Sequence, residues 1–145
     1  MGRSWAGGSR AVDTLQLLQP TIKHKLPVLS LQCLAEVMYF EARSEGKIGQ
    51  LAVADVVMAR VLSSKYPNNI CDVIHEKGQF TYNKQVITED KAWVLALRLA
   101  KIVLLHRYVA VVPGATHYHA IYVHPKWSTG LTVIKTIKKH IFYKI

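Results

Sequence analysis

Leu31, Leu34, Ala35, Val37, Met38 and Ala42 recur at the three- and four-residue steps of one helical face. They predict a helix from Ser30, a suitable N-cap, to about Glu45, with Gly46 at its end. Lys47-Ile48-Gly49 links it to a second helix over Gln50 to Ser63, apolar around most of its circumference. Such a helix belongs at the centre of a small domain. Its β-branched residues also allow a strand, but the length of the unbroken run favours helix. Tyr66-Pro67-Asn68-Asn69 is a turn, followed by a short helical piece through Ile74, and Gly78 to Lys84 is an exposed loop. Thr88 is placed to cap a third helix through about His106, with Trp93, Leu97, Ala100 and Leu104 along one side. After Pro113-Gly114 the period changes to two. His117, His119, Ile121 and Val123 alternate with Tyr118, Ala120 and Tyr122, and a second strand is expected over Thr129 to Ile134. The Lys-rich tail is expected to dock only in part. Residues 1–29, with Gly7-Gly8-Ser9, Pro20 and Pro27, read as a weakly structured arm carrying at most a short helix. The remainder, 30–145, forms one α+β domain, mainly helical with a small β element.

Half of the 145 residues are apolar, enough for a core without a metal or disulfide staple. The formal net charge of +10 is unevenly placed: every Asp and Glu lies at or before Asp90, while Lys and Arg continue to Lys144. A one-sided basic half draws an anionic polymer toward the surface. Nucleic acid, acidic lipid and bacterial wall polymers all meet that condition. Cys33 and Cys71 show no CxxC spacing and are expected as two buried thiols. No apolar segment follows Met1 as in a secretory signal, and the runs Ile102–Leu105 and Val109–Val112 are too short to span a bilayer.

Glu41 is the leading chemical candidate. It lies four and seven positions after Val37 and Leu34, on the apolar stripe, beside Tyr39 and Phe40. A carboxyl on an inward face must find a partner or keep a proton, and the second state suits a general acid. Glu36 points to another side of the helix, whereas Glu45, one turn on, shares the face. The structural alternative is an ion pair with a base such as Arg60, since Arg43 faces elsewhere. His117 and His119 share a strand face, a spacing that suits two ligands of one metal ion, although such histidines more often hold substrate or a neighbouring side chain. Asp55, in an apolar helix, is expected to cap a loop or pair with a base. Tyr39, Phe40, Phe80, Tyr82, Tyr118, Tyr122 and Trp127 offer flat surfaces to sugars or bases, or fill the core.

Three segments, in order, carry a family resemblance across about residues 30–128: Cys33 to Arg60, with Glu41-Ala-Arg-Ser-Glu45; Gly78-Gln-Phe-Thr-Tyr82; and Gly114 to Trp127, with His117-Tyr-His119. Together they resemble the spore-cortex-lytic and cell-wall hydrolase family. That resemblance implies a lysozyme-like fold with a groove, and cleavage of peptidoglycan between N-acetylmuramic acid and N-acetylglucosamine, largely as a lytic transglycosylase. It implies Glu41 as the catalytic acid. Glu45, Gln79, Phe80, Tyr82, His117, Tyr118 and His119 follow as supporting or substrate-binding residues. Two departures stand out: Gly78 replaces a cysteine often found before Gln-Phe, and Ser44 replaces a usual glycine. No metal or cofactor is expected. The expected partner is bacterial peptidoglycan, met by a monomer that is made in the cytoplasm and acts on the wall. The lean domain resembles phage lysis enzymes, which reach the wall through a lesion made by another protein. The rival readings are a zinc-dependent peptidoglycan amidase on His117 and His119, and a basic binder of nucleic acid or another anionic surface.

Overall fold

In the computed structural model, residues 28–80 and 86–145 are described. Helix α1 (Val28–Ala42) is buried through every position from Cys33 to Tyr39, so it has apolar neighbours on all sides. A single 3-10 turn (Arg43–Glu45) and Gly46, at φ 75°, break it from helix α2 (Gly46–Leu62). Helix α2 sits against α1 as its continuous apolarity requires, with Ala52, Val53, Ala54, Val56 and Val57 buried. A short helix α3 (Ile70–His75) is capped by Asn69, whose side chain accepts the Asp72 N–H. Helix α4 (Asp90–Leu104) lays Ala96, Leu99, Ala100, Val103 and Leu104 on this pair. Its buried stripe is therefore centred away from Trp93 and Leu97, which are only half-buried.

Thr88 does not cap α4. The backbone entering a helix needs acceptors, and the Tyr39 hydroxyl supplies one from across the core, accepting the N–H of Thr88 at 3.2 Å and of Glu89 at 3.0 Å just before the first turn. A cap delivered by a tertiary contact leaves no local sequence signature.

The sheet has three antiparallel strands in the order β1 (His117–Ala120), β3 (His140–Lys144), β2 (Thr132–Ile137). Tyr118 lies opposite Phe142 and Ala120 opposite His140. Three expectations are corrected. The alternation beyond Ala120 does not continue as strand, because the chain turns at Ile121 and Tyr122. The second strand begins three residues late, after a 3-10 turn at Lys126–Gly130. The tail, expected to dock only in part, is the central strand: Phe142 is fully buried and β3 bonds to both neighbours. Alternating residues there have protein on both sides, and lysines at the ends disguise the pattern.

The expectation of two free thiols is also corrected. Cys33 and Cys71 form a disulfide joining α1 to α3, with Cα atoms 5.4 Å apart. Packing of the two helices brings together cysteines 38 residues apart, which spacing alone does not reveal.

Candidate active site

Glu41 stands in the last turn of α1 and is half-buried, so solvent reaches it. Its partner is a phenol rather than an arginine: the Tyr118 hydroxyl donates to Glu41 Oε1 at 2.5 Å. Arg43 is engaged elsewhere, with Nε on Glu89 at 2.5 Å and a second nitrogen on the Tyr39 carbonyl at 3.3 Å. Arg60 donates from Nε to the Thr116 carbonyl at 2.9 Å. The structural alternative of a Glu41–arginine pair is not what the fold builds.

The Tyr118 ring is held on two sides. Phe142 stacks on it at 5.3 Å, and the His140 ring meets it at 5.0 Å and 72°. Burial first, then the Glu41 charge and the hydrogen bond to it, push the Tyr118 phenol well above its ordinary 10.0, against an opposing pull from Arg60. The phenol therefore keeps its proton at neutral pH, and Tyr118 stays a donor to Glu41.

Glu45 is buried and turned toward the sheet. Its Oε1 accepts the Lys139 N–H at 3.0 Å and lies 3.5 Å from His140 Nδ1. The approach is close: a Cβ at Gly49 would stand 2.4 Å from the Glu45 Cβ. A side chain on Gly49 would thus displace the carboxyl that pins the β2–β3 turn.

The two-residue period of β1 separates the His-Tyr-His run. Tyr118 faces Glu41, while His117 and His119 lie on the opposite face against Trp127, at 5.1 and 5.5 Å between ring centres. His119 has a partner for each ring nitrogen, the Ala120 carbonyl at Nδ1 and the Tyr143 hydroxyl at Nε2, both at 2.7 Å. His117 Nδ1 lies 2.9 Å from Thr116 Oγ1. Burial, then the charges of Arg60 and Lys65, lower the His117 imidazole below its ordinary 6.5. Under the rival zinc reading, the pair would have to break the His119 bonds to ligate a metal.

Phe80 is half-buried beneath the Arg60 guanidinium, which stands 5.3 Å from its ring and 5.0 Å from that of Tyr66. Gln79 is exposed, and its N–H donates to the Glu76 carbonyl at 3.2 Å. A cavity of about 240 Å³ beside this loop is lined by Glu36, Ile74, Glu76, Lys77 and Phe80, among others. Tyr82 lies outside the described residues.

Asp55 behaves as expected of a loop cap, accepting the N–H groups of Val111 and Val112 at 2.6 and 2.9 Å and the Tyr108 hydroxyl. Two residues near the site escaped the sequence reading. Arg60, 4% exposed, is not a partner of Glu41 but ties the Phe80 loop to the start of β1. His140 lies in the Lys-rich tail, where no motif marks it. The alternation His140, Phe142 against Ile141, Tyr143 was the available signal.

Known proteins resemble the chain over most of its length. The sequence profile of the Cell Wall Hydrolase family matches residues 44–143, a span that begins three positions after Glu41. The spore cortex-lytic enzyme of Bacillus cereus is 32% identical over 119 residues, 79% of this chain and 44% of that protein. The spore cortex-lytic enzyme of Bacillus subtilis is 30% identical over 117 residues, 77% of this chain and 36% of that protein. The chain thus spans less than half the length of these relatives. Among solved structures, the catalytic domain of the germination-specific lytic transglycosylase SleB from Bacillus anthracis superposes with a TM-score of 0.67 at 29% identity, covering 85% of this chain and all of that one. The SleB catalytic domain of Bacillus cereus gives a TM-score of 0.65 at 28% identity, over 95% of this chain. A helical body with a three-stranded sheet is shared with those domains, and with the profile match over residues 44–143 it establishes that the chain belongs to the cell wall hydrolase family.

Proposed function

We propose that this protein cleaves peptidoglycan glycan between N-acetylmuramic acid and N-acetylglucosamine as a lytic transglycosylase, with Glu41 as acid and then as base. The observation that carries the reading is the Glu41–Tyr118 pair: a solvent-reachable carboxyl with a fixed phenol donor and, among the described residues, no ion pair with a cation. Family membership and the lytic transglycosylase activity named for the Bacillus anthracis relative support it. The basic C-terminal half suits an anionic wall polymer, and the Cys33–Cys71 bridge suits an oxidising setting outside the cytosol.

In the first step, protonated Glu41 delivers its proton to the glycosidic oxygen while the bond from that oxygen to muramic acid C1 breaks. N-acetylglucosamine leaves with a free 4-hydroxyl. The substrate acetamido group stabilises positive charge developing at C1. In the second step, the Glu41 carboxylate takes the proton of the muramic acid C6 hydroxyl, and that oxygen closes on C1. The product is a 1,6-anhydro end, and Glu41 is again protonated. Tyr118 steadies the carboxylate between the steps. Most glycosidases use a second carboxylate. Here Glu45, the next acid in the chain, is buried on the Lys139 N–H, which favours a route that does not call on it.

The test is mass analysis of fragments released from purified peptidoglycan. Anhydro ends are expected from the parent chain. Glu41→Gln should lose at least ~100-fold in rate, the usual weight of positioned acid–base catalysis, with its circular dichroism unchanged. Reducing ends would replace transglycosylation with hydrolysis, and an active Glu41→Gln would remove Glu41 from the mechanism.

A further inference from the structure

Behind the Glu41–Tyr118 pair lies a second layer that the proposed chemistry does not use. Glu45 Oε1 is fixed by the Lys139 N–H at 3.0 Å and faces His140 Nδ1 at 3.5 Å. That nitrogen is buried and makes no hydrogen bond. The His140 ring in turn meets the Tyr118 ring edge-on, with Phe142 stacked on Tyr118 beside it. The contacts form one chain, Glu45 to His140 to Tyr118 to Glu41, that crosses from the 3-10 turn through two strands and back to α1.

We propose that His140 is a positioning residue for the acid: its ring, packed edge-on against Tyr118, sets where the Tyr118 hydroxyl meets Glu41. The inference rests on the reading of Glu41 as the acid. The His140 Nδ1 is buried 3.5 Å from Glu45 Oε1 and makes no hydrogen bond, so at neutral pH the ring acts on Tyr118 through packing. Burial lowers the His140 imidazole below its ordinary 6.5, against the raising charges of Glu45 and Glu41 and with the lowering charge of His119. These, with Tyr118 and Phe142, are the titratable and aromatic groups recorded against it. His140 is therefore neutral at pH 7. In acid it becomes an imidazolium drawn toward Glu45, which shifts the ring that holds Tyr118.

The experiment measures kcat and KM on purified peptidoglycan as a function of pH, for the parent chain, His140→Ala, His140→Phe and Glu41→Gln, with circular dichroism as the folding check. His140→Ala should lose roughly ten-fold in kcat, short of the ~100-fold that a 1 Å misplacement can cost. Its KM should be unchanged, because the interaction lost acts on the reacting step. His140→Phe keeps a ring against Tyr118 and should recover most of that kcat at neutral pH. Lacking an ionisable nitrogen, it should also hold activity further into acid than the parent. A folded His140→Ala with parental kcat, KM and pH profile overturns the proposal, as does a His140→Phe no better than His140→Ala. If the alanine variant does not fold, the acid limb of His140→Phe decides, and coincidence with the parent overturns the proposal. Glu41→Gln separates the two readings. If it is inert while His140→Ala is parental, only the positioning role falls; if it is active, the assignment of Glu41 falls and the positioning role with it.

Discussion

Tyr118 reaches Glu41 from a strand that begins 75 residues beyond the end of α1, and its ring is held there by Phe142 and His140. A hydrogen bond to a charged group contributes ~1.5–3 kcal/mol. Removing the hydroxyl while keeping the ring should therefore slow the reaction roughly ten- to hundred-fold. Tyr118→Phe tests this: kcat on purified peptidoglycan should fall to that extent, with an unaltered circular dichroism spectrum. A parental kcat would show that the phenol only fills space. Glu41 was legible beforehand because a carboxyl at helical spacing from Leu34 and Val37 is out of place on an apolar stripe. Its partner was not, because nothing near Tyr118 in the chain marks it as a donor to a helix. The same holds for Arg60, whose Thr116, Tyr66 and Phe80 contacts come from three separate stretches.

Among the elements, α1 gathers most of the connections. It packs on α2, α3 and α4, offers Tyr39 to the start of α4, and is stapled to α3 through Cys33. A crosslink between positions 38 apart removes about 4 kcal/mol of denatured-state entropy in the loop-closure picture. Cys33→Ser/Cys71→Ser, or reduction of the parent chain, should lower the melting temperature by roughly 10 °C for a domain of this size. Scanning calorimetry with and without reductant measures it, and coincident melts would mean that the bridge contributes nothing. The helices were largely readable, since their apolar spacing is a local property. Strand β3 was not: its neighbours β1 and β2 are what make it central, and its own Lys-rich flanks suggest an edge.

Across the molecule, charge and burial act on different properties. The net +10, concentrated after Asp90, concerns encounter with an anionic polymer rather than the fold. Stability against pH depends instead on groups held in one protonation state. His117 and His140 both titrate below 6.5 when folded, and both are lowered first by burial. The unfolded chain therefore binds protons that the folded chain refuses, so stability rises with pH across that interval. It is fully present above 6.5 and lost as pH falls through the lowered folded values. Urea midpoints between pH 7 and pH 5 should decline, and His140→Phe should decline less; equal slopes would mean that His140 carries none of the effect.

The chain alone determined its helices, the oddity of Glu41 and the three motifs that link it to the cell wall hydrolases, because periodicity and motif spacing are written within short stretches. It also determined that Tyr118 points opposite to His117 and His119, since alternation is a property of any strand. The packed structure decided the rest: the Cys33–Cys71 bridge, the Tyr39 cap, the central place of β3, and the Glu45–His140–Tyr118–Glu41 succession. Each of these joins groups far apart in the chain. Their proximity is fixed by which surfaces bury one another, a choice made over the whole molecule and carried by no single segment.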